Sequence, residues 1–415
     1  MNHQIRSLMI GNIFQSLHCS SLRMQQSKLT VFGSSFSRIA NSAFQMNSFS
    51  NSAIFNHCSF TYFLGHPISV NTNEKNSVYI GERQSYVSPA DRSISFTFCM
   101  FRECQVANDD GGAIYVWDVS GNVQLNVLHS SFYRCQSNLL HGGAIYFVGG
   151  SISIKESCFD YCAAPESSGQ AVEAQTSKDG NMGFEGISVS RCAPIVRRSD
   201  SSSASFSIID GIQKIANANF SNSYVSDIYS TIHSDDSDSI ILSFCNFANN
   251  IGSIVLGIED HRFNDDISYL NFVDNKVDDA DYGLIYLNGI KSVMKTCVFY
   301  YNTPILFHAS RQIEVNMVRC ILDRSVSQAN YTDNVMVTLT ECEFKNPPNT
   351  YKVSIFDSRY CWMINPPTLP AGPSTNILLL FIIAFFGLVS YGLYIYYPTL
   401  AATCADPSAY DHVAD

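Results

Sequence analysis

Residues 101–115 read FRECQVANDDGGAIY, and residues 132–146 read FYRCQSNLLHGGAIY. Both stretches begin with Phe-x-x-Cys, and in both the pentapeptide Gly-Gly-Ala-Ile-Tyr starts ten residues after the phenylalanine. A third copy starts at Phe159, where Cys162 and a Gly-Gln-Ala-Val segment keep the same phase. Two matching pentapeptides at one phase indicate an internal repeat, and this repeat decides the fold.

The phenylalanine element recurs from residue 101 onwards at intervals of 22 to 31 residues. Weaker copies start at Val189, Leu322 and Phe344, and the N-terminal candidates Phe14, Phe36, Phe49 and Phe60 are less regularly spaced. The positions that define the motif are Phe101, Cys104, Gly111, Gly112, Ile114, Phe132, Cys135, Gly142, Gly143, Ile145, Phe159, Cys162, Phe247, Asn250, Phe272, Asn275, Phe299 and Asn302.

Apolar residues alternate with other residues just before each phenylalanine element, as at Ile94, Phe96 and Phe98. This period of two is the signature of a β-strand. No amphipathic stretch of helical length separates the strands. We therefore predict an all-β fold, a right-handed parallel β-helix of the pectate-lyase type. Each coil is expected to hold an alternating strand, a turn at Phe-x-x-Cys/Asn, a second strand and a variable loop.

Stacking of coils about 4.8 Å apart predicts what the repeated side chains do. The phenylalanines are expected to stack inside the coils. Asn250, Asn275 and Asn302 share one phase and can form an amide ladder. Four cysteines share that phase and leave two alternatives open, disulfides between coils in an oxidising compartment or free buried thiols. These cysteines are Cys104, Cys135, Cys162 and Cys192.

The paired glycines are expected at a sharp corner where a side chain would clash. The alternation then points Ile114 and Ile145 inward, and it points Tyr115 and Tyr146 outward. These two tyrosines predict a small exposed aromatic stripe.

The pairing of Gly-Gly-Ala-Ile with Phe-x-x-Asn/Cys resembles the repeats of chlamydial polymorphic outer membrane proteins. It is also similar to the related proteins of trichomonad parasites, in which a single C-terminal helix follows the β-helix. The resemblance covers roughly residues 94–346, and only the two Gly-Gly-Ala-Ile copies are specific. It implies exposure at the cell surface and a role in adhesion.

Residues 377–397 read ILLLFIIAFFGLVSYGLYIYY, without a charge. At about 1.5 Å per residue, this segment is long enough to span a bilayer as one helix. The predicted organisation has five parts. These are degenerate N-terminal repeats at 1–93, β-helix repeats at 94–346, a cap and Pro-rich stalk at 347–376, the membrane helix at 377–397 and a short tail at 398–415.

The chain starts without a hydrophobic leader, and repeat-like sequence begins almost at once. We therefore expect the natural start to lie further upstream. A β-helix outside the plasma membrane with a cytoplasmic tail is expected from the resemblance. Asn219 and Asn330 head glycosylation sequons, and Tyr410 with Val413 forms a tyrosine-based sorting pattern in the tail.

The formal net charge of −11 disfavours nucleic acid as a partner. The acidic runs between Asp235 and Asp281 are interpreted as solvated loops. Asp110 and His141 each precede a glycine pair and are interpreted as caps of the turn. No metal site, cofactor site or catalytic triad emerges from the residue spacing.

The sequence predicts a non-enzymatic, single-pass surface protein that binds proteins or glycans of host or neighbouring cells. One alternative is a membrane-anchored polysaccharide lyase or hydrolase, or a glycan binder. A carboxylate cluster along one strand column would favour that alternative. The other alternative is a tail-anchored intracellular scaffold.

Overall fold

The computed structural model describes part of the chain, and all regular structure in that part is β-strand. The described residues are 2–6, 9–11, 22–23, 28–47, 52–72, 92–192, 204–225, 229–259, 266–277, 282–288, 291–303, 305–323, 330–331 and 334–345. The strands within them pair in parallel, each with its equivalents one coil away. The predicted all-β parallel solenoid is confirmed.

Each coil passes through three faces, which we number in chain order. The strands of face 1 bury alternate residues, because one side of a parallel strand faces the core and the other faces outward. Its strands are β1 (Asn2–Arg6), β4 (Lys28–Phe32), β7 (Ser52–Asn56), β10 (Arg92–Thr97), β13 (Val123–Leu128), the ends of β16 (Ile145–Lys155) and β18 (Val172–Glu185), β21 (Ile212–Ala216), β24 (Ser239–Ser243), β28 (Asp266–Ser268), β32 (Lys291–Lys295), β35 (Ile313–Val318) and β38 (Val335–Thr340).

Face 2 holds the phenylalanine element in short strands. Its strands are β2 (Met9–Gly11), β5 (Ser35–Ser37), β8 (Ser59–Phe63), β11 (Met100–Val106), β14 (Ser131–Tyr133), β17 (Cys158–Asp160), β19 (Ser188–Ser190), β22 (Asn219–Ser221), β25 (Asn246–Ala248), β29 (Asn271–Val273), β33 (Val298–Tyr300), β36 (Ile321–Leu322) and β39 (Glu343–Phe344). Phenylalanine thus lies in a strand, and the turn falls on a later left-handed residue such as Arg134, whose φ is 50°.

Face 3 starts after the glycine corner. Its strands are β3 (Leu22–Arg23), β6 (Phe44–Asn47), β9 (Ile68–Asn71), β12 (Ile114–Trp117), the starts of β16 and β18, β20 (Phe206–Ile209), β23 (Tyr229–Asp235), β27 (Ile254–Glu259), β31 (Ile285–Asn288), β34 (Ile305–His308) and β37 (Asn330–Tyr331). Three short strands lie off these faces: β15 (Gln136–Ser137), β26 (Ile251–Gly252) and β30 (Lys276–Val277). The prediction of two strands per coil was therefore one strand short.

The predicted phase of the repeat is confirmed by the strand register. Phe101 lies beside Phe60 on one coil and Phe132 on the next, and the ring centroids of Phe101 and Phe132 are 4.8 Å apart. Phe36 joins the same column, whereas Phe14 and Phe49 lie outside the described residues. The members of this column from Phe36 to Phe299 are almost fully buried, so the column is the core of face 2.

Phe98 departs from the predicted alternation. Ile94 and Phe96 point into the core, but Phe98 has a φ of 53° and is only half-buried at the corner between faces 1 and 2. Its ring stacks between His57 and His129, with centroids 4.9 and 4.8 Å away. The left-handed corner ends the strand one residue early, and the side chain is therefore directed outward.

The chain divides into two units, Met1–Ile364 and Asn365–Asp415. The first contains the whole described solenoid. Among the described residues, no helix has the length and apolarity needed to cross a bilayer. The predicted cap, stalk, membrane helix at 377–397 and tail at 398–415 lie outside the described residues.

Candidate functional site

The asparagine positions of the repeat form a buried amide ladder, as predicted. Asn250 Nδ2 donates to Asn275 Oδ1 at 3.0 Å, and Asn275 Nδ2 donates to Asn302 Oδ1 at the same distance. Each Nδ2 also donates to the backbone carbonyl of a phenylalanine one coil earlier, Phe247 in the case of Asn275. All the polar atoms are paired, so this column stabilises the coils and is not available to a ligand.

Cysteine satisfies the same carbonyl where it replaces asparagine. Cys135 Sγ lies 3.6 Å from the carbonyl of Phe101, and Cys162 Sγ lies 3.6 Å from that of Phe132. Cys104 and Cys192 occupy equivalent places, and all four are buried free thiols. Burial raises the pKa of the Cys162 thiol well above its ordinary value. Of the two alternatives for this column, the structure has the free, unreactive thiols.

The glycine pairs form the corner before face 3, as predicted. Gly111 and Gly142 have a φ of +67°, a conformation that favours glycine. A Cβ on Gly143 would lie 2.2 Å from the carbonyl oxygen of Gln170, so the second glycine allows close packing of successive coils. Gly112 is equally restricted. These glycines position the strands that follow them, and Ile114 and Ile145 point into the core.

The outward column of face 3 carries the strongest functional signal. Tyr115 lies beside Tyr146 in register, and their rings stack with centroids 5.8 Å apart. Trp117 stacks on Tyr146 at 6.1 Å, and His66 stacks on Tyr115 at 5.1 Å. Tyr115 and Trp117 are half-buried, whereas Tyr146 is 8% exposed. The predicted outward direction of both tyrosines is confirmed, but the predicted exposure of Tyr146 was wrong, because its ring is covered by its neighbours. The accessible part of the stripe is formed by Tyr115 and Trp117.

Titratable side chains surround this stripe. His141 Nδ1 lies 3.1 Å from Glu173 Oε2, and Glu173 follows Tyr146 in the same outward column. Ser168 Oγ lies 3.0 Å from His141 Nδ1. Asp110 Oδ1 accepts a hydrogen bond from the backbone nitrogen of His141 at 2.7 Å, so Asp110 caps the equivalent turn of the next coil. The prediction that the His141 side chain caps a turn was wrong, because that side chain contacts Ser168 and Glu173 instead.

Burial and charge shift the acidities of these groups. The hydrogen bond to Glu173 raises the pKa of His141, which favours its cationic form. Burial raises the pKa of Asp110, and it lowers the pKa of His66. Burial also raises the pKa of Tyr115 to about 12, so its hydroxyl stays protonated at neutral pH. The cluster can offer hydroxyl donors, a cationic imidazole and carboxylate acceptors beside aromatic rings.

Glu173 and His66 were missed by the sequence-based reasoning. Glu173 occupies the tyrosine position in the third copy of the glycine element, and that phase is a signal that would have identified it. His66 belongs to the Phe60 coil, where no glycine pair marks the phase. Its position could be assigned only once the register between β9 and β12 was known.

The sequons differ in what the structure says of them. Asn219 points away from the core, yet it is 7% exposed and its Nδ2 donates to Ser221 Oγ at 3.2 Å. Asn246 Nδ2 donates to the Asn219 side-chain oxygen at 2.8 Å. A glycan would have to displace these contacts. Asn330 starts β37, and its side chain lies outside the described residues, as do Tyr410 and Val413.

Among the described residues, no group of three or more His, Cys, Asp or Glu side chains is arranged to hold a metal ion. No protein-family model matches the sequence, and no curated protein or solved structure is significantly similar to it.

Proposed function

We propose that this chain is a non-enzymatic, membrane-anchored cell-surface protein that contacts other cells through its β-helix. The observation that carries the proposal is the outward column of face 3, where Tyr115, Tyr146 and Trp117 stack beside His66 and the His141–Glu173 pair. The resemblance of the Gly-Gly-Ala-Ile repeat to polymorphic outer membrane proteins supports the same conclusion.

Aromatic rings held by stacking suit recognition of a protein or a glycan. Tyrosine and tryptophan offer a large contact area and lose little conformational entropy on binding. Here Tyr146 is already stacked against both Tyr115 and Trp117 of the preceding coil before any ligand arrives. The polar groups around the rings can fix the orientation of a bound partner.

The membrane topology in this proposal comes from the sequence. Residues 377–397 cross the plasma membrane as one helix, residues 347–376 cap the solenoid and form the stalk, and residues 398–415 remain in the cytoplasm. The coils are right-handed, as parallel crossover connections almost always are. Tyr410 and Val413 then face the cytoplasm, where a sorting pattern functions.

A polysaccharide lyase or hydrolase is the competing function. Such an enzyme needs paired carboxylates that face the substrate. The described part of the Tyr115 column, from Ser69 to His308, contains Glu173 as its only carboxylate. Asp110 is nearby, but it is engaged in capping the turn.

The neighbouring outward column, that of Trp117, holds Asp235 and Glu259 at adjacent positions of β23 and β27. These two carboxylates therefore lie in strands and not in the solvated loops that the sequence predicted, and His233 Nε2 lies 3.2 Å from Glu259 Oε1. The Asp235–Glu259 pair meets one requirement of such an enzyme, whereas the stacked aromatic rings support binding and decide our choice. Depolymerisation of a panel of polysaccharides by the full chain would reverse this choice.

The first test is adhesion by cells that display the full chain. An epitope inserted within residues 73–91, between β9 and β10, reports surface exposure on intact cells. We expect the double variant Tyr115→Ser/Tyr146→Ser to reach the surface and to lose at least about tenfold in adhesion. Tyr269→Ser is the matched control, because Tyr269 is 37% exposed and stacks on Phe244 at a different corner.

Three results would contradict the proposal. Equal adhesion by the wild type and the double variant would remove face 3 from the contact. Equal losses of adhesion in the double variant and in Tyr269→Ser would indicate nonspecific adhesion through exposed aromatic residues. Epitope staining only after permeabilisation would favour the intracellular scaffold. Because Tyr146 is buried, Tyr115→Ser alone serves as the variant if the double variant fails to fold.

A further inference from the structure

A second ordered surface runs along the end of face 2, on a different face from Tyr115. Arginine and tyrosine side chains from successive coils alternate there, and we call this surface the Arg–Tyr ribbon. Its members are Tyr62, Arg102, Tyr133, Arg134, Tyr161 and Arg191. They lie in or directly after five neighbouring strands of face 2, β8, β11, β14, β17 and β19, and they span roughly 19 Å in four steps of about 4.8 Å.

Each guanidinium of the ribbon lies over a tyrosine ring. The Arg102 carbon Cζ is 6.0 Å from the centroid of Tyr62 and 5.8 Å from that of Tyr133. Arg134 lies 5.0 Å from Tyr133 and 5.8 Å from Tyr161. A guanidinium stacked on a ring keeps its N–H groups directed sideways, where they can still bind an anion.

Two of the three arginines in the ribbon are paired with carboxylates. Arg191 is held by Asp160 through two hydrogen bonds of 2.9 and 2.6 Å, and Arg102 pairs with Glu103 at 3.2 Å. Within the part of the chain that the structure describes, Arg134 forms no ion pair and is exposed. Three arginines and the two carboxylates Glu103 and Asp160 leave the ribbon a formal charge of +1, and Arg134 is the arginine that supplies it.

The backbone fixes these side chains in place. Tyr62, Arg134, Tyr161 and Arg191 all have a φ between 50° and 59°, in the left-handed region that non-glycine residues rarely adopt. The same conformation recurs on each coil, and on the Arg102 coil it falls on Glu103, whose φ is 52°. Arg102 and Tyr133 lie one position earlier, in the strands, so the ribbon combines two adjacent columns. Binding a linear ligand along the ribbon would require little reordering.

We propose that the Arg–Tyr ribbon binds an acidic polysaccharide, with a sulfate or carboxylate group on Arg134 and sugar rings along the tyrosines. Arginine suits this ligand because its planar fork pairs with such anions through two hydrogen bonds. A polymer suits the site because equivalent groups repeat along the ribbon. This inference goes beyond the contact surface proposed around Tyr115. That surface contains no arginine, and its test does not involve the ribbon.

The experiment measures binding of the purified full chain in detergent micelles to immobilised heparin, with neutral dextran as the comparison. We expect retention on heparin that falls with rising salt, and none on dextran. Arg134→Gln should weaken heparin binding about tenfold, because one charge-assisted contact is lost. Arg134→Lys should recover only part of the loss, since lysine keeps the charge but not the stacked fork.

Lys214→Gln is the matched control, because Lys214 is an exposed cation on face 1 and its replacement changes the net charge equally. An equal loss in Lys214→Gln and Arg134→Gln would overturn the proposal, as would full recovery in Arg134→Lys. Binding to phosphatidylserine vesicles without binding to heparin would also overturn it. The two proposals fail separately, because Arg134→Gln leaves the adhesive surface around Tyr115 unchanged.

Discussion

At the scale of single residues, one buried position accounts for the Cys/Asn alternation of the repeat. The carbonyl of the phenylalanine one coil earlier needs a donor, and either Cys Sγ or Asn Nδ2 supplies it, as at Cys162 and Asn275. Asparagine adds an acceptor, Oδ1, which also bonds the side chain of the coil before it. The asparagine columns are therefore more fully hydrogen-bonded than the cysteine columns.

Replacing Asn275 tests this account. Asn275→Ala should lower the free energy of unfolding by at least about 2 kcal/mol, because it leaves the carbonyl of Phe247 and the side chain of Asn250 short of partners. Asn275→Cys should cost less, since a thiol can still donate to that carbonyl. Urea unfolding of the full-length variants measures these free energies and ranks the two substitutions. Asn126→Ala, on the outward side of face 1, is the control and should leave the free energy of unfolding nearly unchanged.

His141 predicts a dependence of stability on pH. Its pKa is raised in the folded protein by the hydrogen bond to Glu173, so its cationic form stabilises the fold below the unfolded pKa of about 6.5. That contribution is lost as the pH rises through the folded pKa. We expect the melting temperature of the wild type to fall more than that of His141→Gln between about pH 6 and about pH 8. Parallel curves for the two proteins would exclude the pair as the cause.

At the scale of elements, the glycine corner sets how closely two coils approach. Gly143 tolerates no Cβ, because the carbonyl of Gln170 lies in its place, whereas a Cβ on Gly183 would meet open space. In the third copy of the motif, Gln170 occupies the second glycine position. Its side chain turns back to the backbone of Ala164, so the side chain is accommodated by hydrogen bonds.

A pair of glycine substitutions separates close packing from backbone entropy. Gly143→Ala should destabilise the protein by about 1–3 kcal/mol through the clash with the next coil. Gly183→Ala lies in a strand with room for the methyl group and should be neutral or slightly stabilising. Thermal unfolding of both variants provides the comparison. A similar loss of stability in both variants would contradict the prediction. It would mean that the coils move apart at Gly143 and that the close contact there costs no additional free energy.

Between Phe36 and Phe299, the stacked phenylalanine column is interrupted at β19. Val189 replaces phenylalanine on β19, and the ring of Phe206 from face 3 contacts Phe159 and Phe220 edge-on, at 5.7 and 5.6 Å. A missing ring on one face is thus filled from another face. The coils of a degenerate repeat can still stack because the total volume of the core is kept even where a single phenylalanine is replaced.

At the scale of the whole molecule, each described coil stacks mainly on its two neighbours, which makes whole coils removable. Deleting residues 247–271 should place Phe272 and Asn275 on the preceding coil in the positions of Phe247 and Asn250, with each column unbroken. We expect this deletion to fold with the strand content of the remaining coils. Deleting residues 247–258, about half a coil, should misalign the faces. Circular dichroism and protease resistance distinguish the two deletions, and equal damage from both would contradict independent coils.

The sequence by itself determined the strand period, the phase of the repeat and the contents of each column. Those features could be predicted because stacking brings equivalent residues of successive repeats together, and so places Phe272 on Phe247 and Asn275 on Asn250. The third strand of each coil, the outward turn of Phe98 and the free state of the four aligned cysteines emerged only from the tertiary structure. The place of His66 beside Tyr115 and the Arg–Tyr ribbon also emerged only from the tertiary structure. These features depend on where each corner ends a strand and on how the side chains of neighbouring coils pack. The repeat pattern does not record either, because it gives the order of residues along a coil but not the backbone conformation at its corners.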